Sequence, residues 1–157
     1  MRQVICRRSC RQYNGQMSEA VVALHFNVDG EDFTSAGQAS VQVKKSLRQL
    51  GIDSEIIRKV SIAMYEGEIN MVIHAGGGEA HVLIYEDRIE IKLDDHGPGI
   101  ANIEMAMQEG WSTAPDNIRS LGFGAGMGLP NMKRYTDDMK IDSVVGEGTH
   151  IVMTVNL

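Results

Sequence analysis

Glu66, Asn70 and His74 recur at intervals of four, the spacing that stacks side chains on one face of a helix. A neutral amide oxygen such as that of Asn70 suits Mg²⁺ already bound by phosphate oxygens, because the protein then supplies only one or two ligands. A carboxylate one turn earlier, Glu66, falls within reach of a hydroxyl or water attacking a terminal phosphate, which is where a general base belongs. Taken alone the three would read as a solvated helix face. Further along, Asp95 opens the run Asp95-His-Gly-Pro-Gly99 directly after a strand pattern. Its carboxylate can accept the exocyclic amino hydrogen of adenine and would repel the carbonyl that guanine carries there, so ATP is expected over GTP. Gly97 and Gly99 let the backbone press against a flat ring. Asp94 is a second candidate for the same role.

Gly122, Gly124, Gly126 and Gly128 alternate just before a helical pattern. Exposed N–H groups and a helix start there offer a seat for phosphate oxygens, with Gly124, Gly126, Met127 and Gly128 its expected members. Gly146-Glu-Gly148-Thr149 is a hairpin turn when read alone, and in this company Thr149 presents a hydroxyl near the base. The cofactors that follow are ATP or ADP with Mg²⁺. Two rival phosphate motifs fail: a dinucleotide fingerprint would need glycine where Met127 or Leu129 stands, and no Gly-Lys pair exists for a P-loop. The five histidines, at 25, 74, 81, 96 and 150, make no short ligand pair, so no zinc site is expected from spacing.

The elements that must position these groups can be read from periodicity. Residues 20–28 alternate as a half-buried strand closed by Asp29-Gly30. A first helix runs from Phe33 or Ser35 to Leu50 and stops at Gly51; a second, capped by Asp53 or Ser54, carries the Glu66 stripe up to Gly76. On that helix Glu68 points elsewhere and reads as surface. Strands over 81–85 and 88–93 turn at Glu86-Asp87, and 101–121 reads as a short helix followed by a mobile lid containing Trp111. A helix over 129–139 and strands over 140–145 and 150–155 complete an α+β fold. The expected architecture is a two-layer sandwich, a mostly antiparallel mixed sheet with helices on one face.

At 157 residues the chain has the size of one domain, and its 43% hydrophobic and 23% charged composition is globular. No apolar run is long enough to span a membrane. A net charge of −6 argues against a direct nucleic-acid partner. Residues 1–16 hold Arg2, Arg7, Arg8 and Arg11 without an acid, together with both cysteines, Cys6 and Cys10. They read as a basic, disordered extension before a domain over 17–157, and a body without cysteine points to the cytoplasm.

In this order the motifs resemble those of the GHKL superfamily of gyrase, heat-shock chaperone, histidine-kinase and mismatch-repair ATPases. Glu66 to Asn70 resembles the N box, Asp95 to Gly99 the G1 box, Gly122 to Gly128 the G2 box, and Gly146 to Thr149 the G3 element, over residues 20–157. Short length and a compact lid are similar to anti-sigma-factor serine kinases. That resemblance implies that Asn70 ligates Mg²⁺, Glu66 is the base, Asp95 reads adenine, and Gly126 and Gly128 contact phosphates. It implies a sigma factor or an anti-anti-sigma-like protein as partner, and a homodimer. Those kinases carry a partner-contacting Arg in the first helix, whereas Gln38 to Val43 has none. Two other functions are open: a nucleotide-dependent interaction switch without transfer, and a detached ATP-binding domain of a histidine kinase.

Overall fold

The computed structural model describes residues 10–13 and 16–157. The remainder of the expected extension, Cys6 included, lies outside the described residues. Two short strands, β1 (Cys10–Tyr13) and β2 (Gln16–Glu19), pair antiparallel as a separate hairpin.

The body is a five-stranded sheet in the order β3 (Val22–Asp29), β4 (Gly77–Ile84), β5 (Arg88–Asp95), β7 (Gly148–Asn156), β6 (Asp138–Val144). Every neighbouring pair is antiparallel, so the sheet is not mixed. The alternation of β3 and β7 puts Leu24, Phe26, Met153 and Val155 on one face, where they are buried with Val82, Ile84, Ile89 and Ile91. Helices α1 (Gln38–Gln49) and α2 (Ser54–Asn70) cover that face with Val43, Leu47, Val60 and Met64, and α5 (Gly128–Arg134) adds Met132. Among the described residues no helix is long and apolar enough to cross a membrane.

Helix α2 starts where expected, its first turn capped by Asp53, which accepts the Glu55 N–H at 2.9 Å. It does not run unbroken to Gly76: a π-turn over Met71–Ala75 widens it before Gly76 closes it in the left-handed region at φ 70°. Helix α1 begins later than its periodicity predicts. Asp32 accepts both the N–H and the hydroxyl of Thr34, at 2.9 and 2.5 Å, and holds that stretch as a turn instead.

Glu68 is not a surface residue. It is 2% exposed, and its two carboxylate oxygens accept the N–H groups of Ala39 and Ser40 at 3.1 and 3.0 Å. Gly37, at the N-cap of α1, provides no side-chain cap, so a carboxylate from α2 does that work. The 101–121 stretch carries two short helices, α3 (Ile103–Ala106) and α4 (Asp116–Ser120), rather than one. Helix α5 ends at Arg134, short of the expected Met139: the Asp137 N–H already donates to Thr154 in β7, and β6 begins at Asp138.

Candidate functional site

Between α2 with its π-turn, the loop after β5, and the 105–128 segment lies a cavity of about 750 Å³. Glu66, Asn70, His74, Asp95, Gly99, Gly124, Gly126, Met127, Gly128 and Thr149 all reach its wall. Residues up to 83 positions apart in the sequence are thereby brought to one space.

The α2 wall is held from α5. Glu66 Oε1 accepts a hydrogen bond from Asn131 Nδ2 at 2.8 Å, and the Asn70 amide lies beside Met132 Sδ at 3.9 Å. Both amide atoms of Asn70 are 2.9 Å from where a Cβ on Gly128 would stand, so glycine is what lets α5 start against this side chain. One π-turn further on, His74 also faces the cavity, so the widened turn keeps it on the wall that Glu66 and Asn70 form. Burial pushes its imidazole pKa down, and the nearby Asp95 charge opposes the shift in part.

At the other end Asp95 is fixed by one oxygen. Its Oδ1 accepts N–H groups from Gly97 at 2.9 Å and Thr149 at 3.1 Å, leaving Oδ2 for a donor in the cavity. Gly97 itself sits behind the wall. A Cβ there would come within 2.6 Å of both Cα and Cβ of Ala75, so the loop after β5 packs on the end of the π-turn only with glycine at 97. Asp94, the alternative carboxylate, is the neighbouring residue of β5, and its Oδ1 is bonded to His150 Nδ1, while Asp95 takes the cavity position.

Thr149 is buried and its hydroxyl is 2.9 Å from that of Ser143 in β6, which also accepts the Ile100 N–H at 2.8 Å. Trp111 also lines the cavity, its backbone against Gly126. The segment carrying it is closed at its base by Gly110 N–H donating to Gly126 O at 2.9 Å and by an Arg134–Glu109 ion pair at 2.7 Å. Asn131 and Ser143 were not foreseen from sequence. Asn131 had a usable signal, since it lies one helical turn after Gly128 and so beside whatever that glycine faces; Ser143 had none, since its role depends on the hairpin register.

A cavity of this volume falls in the range of small-molecule sites. Its two ends differ in chemistry: a fixed carboxylate oxygen among backbone and apolar groups at one, a carboxylate, an amide and a glycine-rich backbone at the other. That polarity suits a ligand with a flat nitrogen base at one end and charge at the other.

Residues 31–155 match the histidine kinase-like ATPase domain family. The chain is similar to the serine/threonine-protein kinase RsbT of Bacillus subtilis, with 33% identity covering 76% of this chain and 85% of that protein. It is similar also to an anti-sigma F factor of Clostridium acetobutylicum, 36% identical over 73% of this chain and 80% of the other. Among solved structures, the RsbU and RsbW domains of a Mycobacterium tuberculosis protein share the fold with a TM-score of 0.58 at 17% identity. That likeness covers 85% of this chain and 32% of the other.

Proposed function

The chain belongs to the histidine kinase-like ATPase family, and we propose that it is a regulatory protein serine kinase of the anti-sigma type. The observation that carries this reading is the shared cavity, with Glu66 and Asn70 on one wall, the 124–128 backbone beside them, and Asp95 at the opposite end.

The residues present fit Mg-ATP. Asp95 Oδ2 accepts the adenine amino hydrogen, with Gly99 and Thr149 around the base and Gly97 shaping the loop from behind. Gly124, Gly126, Met127 and Gly128, which line the cavity, would offer backbone N–H groups to the phosphates. Asn70 contributes its amide oxygen to Mg²⁺, which when bound neutralises phosphate charge. Burial disfavours the charged form of His74 on that wall, opposed in part by Asp95.

Glu66 takes the proton of a partner serine hydroxyl as the serine oxygen bonds to the γ-phosphorus. The bond from that phosphorus to the bridging oxygen breaks, and ADP leaves with the electron pair. Asn131 holds Glu66 against α5 by its 2.8 Å hydrogen bond, which fixes the base without contact to substrate. The names of two relatives, an anti-sigma factor and a serine/threonine kinase, support a protein partner, and the one proposed here is a sigma factor or an anti-anti-sigma-like protein in the cytoplasm.

Incubation with Mg²⁺ and γ-labelled ATP in host extract, wild type beside Glu66→Ala, tests this. An acid-stable labelled protein band that disappears in the variant is expected. An undiminished band in Glu66→Ala overturns the base assignment; an acid-labile product indicates phosphohistidine, and nucleotide binding without any product indicates a switch in place of a kinase.

A further inference from the structure

We propose that His25, Glu79 and His81 form a binding site for a borderline divalent cation such as Zn²⁺, on the sheet face away from the helices and the nucleotide cavity. No short sequence motif announces it, since 56 positions separate the two histidines. Strand register creates it: His25 in β3 lies directly across from His81 in β4, and Glu79 is two residues before His81 on the same face.

The side chains are gathered closely enough to share one ion once the two rings turn out of their stack, since imidazole donates in its ring plane. The two imidazole rings stack with centroids 4.4 Å apart and planes 15° from parallel. Both Nε2 atoms face the same carboxylate oxygen, Glu79 Oε2, at 3.7 Å from His25 and 3.6 Å from His81. These separations are too long for hydrogen bonds. They are close to the edge of a tetrahedron around Zn²⁺, about 3.4 Å for metal–ligand bonds of about 2.05 Å. One ligand atom from each of the three residues lies within 4.8 Å of the others.

A second observation points the same way. His25 Nε2 is shut off from solvent and has no hydrogen-bond partner, although the imidazole as a whole is 30% exposed. A buried ring nitrogen without a partner is costly unless something accepts its lone pair or proton. A cation between the three groups would supply that partner.

The donor set selects the ion. Two imidazoles and one carboxylate match Zn²⁺ with a fourth position open to water, and are poor for Ca²⁺ or Mg²⁺, which take oxygen ligands. Among the described residues the neighbouring charges are engaged elsewhere: Lys92, across from His81, is paired with Glu90 at 3.9 Å, and Asp94, across from Glu79, is bonded to His150. Since β3 is an edge strand, a bound ion would pin it to β4.

Competitive zinc titration of the tag-free full chain, stripped with chelator, is the test. Wild type, His25→Gln, His81→Gln and the double variant Cys6→Ser/Cys10→Ser are compared, the last to separate this site from the thiols. Binding of one equivalent by wild type and by the cysteine variant, weakened about 10-fold or more in each histidine variant, is the expected result. Histidine variants that bind zinc as tightly as wild type overturn the proposal, as does wild type that binds none up to roughly 100 µM. Should a variant fold poorly, imidazole NMR signals of the wild-type chain decide: His25 and His81 must shift with one equivalent of Zn²⁺, and unmoved signals refute the site.

Discussion

Replacing Glu68 by alanine removes the only side-chain cap that α1 has among the described residues. The carboxylate accepts two backbone N–H groups, from Ala39 and Ser40, at the start of a twelve-residue helix, in a position 2% exposed. A hydrogen bond to a charged acceptor contributes about 1.5–3 kcal/mol, and a buried donor left without a partner keeps its desolvation cost. Because water can reach part of the first turn once the side chain is gone, the lower end of two such bonds applies, about 3 kcal/mol. For a chain of this size that lowers Tm by about 6–12 °C. In urea the midpoint falls by about 1.5 M at a slope of about 2 kcal/mol/M. Glu68→Gln keeps one acceptor and turns an amide NH₂ toward the second N–H, so its loss is smaller, about 1–2 kcal/mol. Equilibrium urea unfolding of the three proteins measures this. A loss below about 0.5 kcal/mol in Glu68→Ala is what a surface residue gives and would refute the capping account.

Asn70→Ala is expected to weaken ATP binding about 10-fold in Mg²⁺ and much less in EDTA, because the side chain acts through the ion; calorimetry showing equal losses in both contradicts that role. For His74 the folded pKa lies below its ordinary value of 6.5, so between the two the unfolded chain binds more protons and stability falls as pH drops through 6.5, while above it the contribution is intact. Urea midpoints of the nucleotide-free protein should therefore fall less from pH 7 to 5.5 in His74→Asn than in wild type; parallel declines refute it.

Local chemistry made much of this molecule readable before the structure. Apolar patterning found the five strands of the main sheet but not the β1–β2 hairpin, Asp53 found the start of α2, and Glu86-Asp87 found the hairpin between β4 and β5, where Tyr85 N–H meets Arg88 O at 2.8 Å. The Glu66, Asn70 and His74 stripe, Gly99 and the glycines from 122 to 128 line one cavity. What escaped was set by contacts distant in sequence. Helical spacing says which way Glu68 points but not that α1 stands there with two open N–H groups, 28 and 29 residues away. Ser143 matters only because the β6–β7 pairing sets it beside Thr149. The end of α5 at Arg134 follows from the demand of β7 for a neighbour strand, which overrides a helical pattern running on to Met139.

In the proposed reading this cavity holds adenine nucleotide, with Asp95 meeting the base. Calorimetric titration of ATP and GTP into wild type and Asp95→Asn tests it most directly. In the variant the amide oxygen can still accept from Gly97 and Thr149 while the NH₂ faces the adenine amino group, so the loop keeps its shape and only base reading is lost. Wild type is expected to bind ATP and not GTP, and the variant to bind ATP about 10- to 100-fold more weakly, the equivalent of about 1.5–3 kcal/mol. ATP affinity unchanged in Asp95→Asn, or GTP bound by wild type as tightly as ATP, would contradict it.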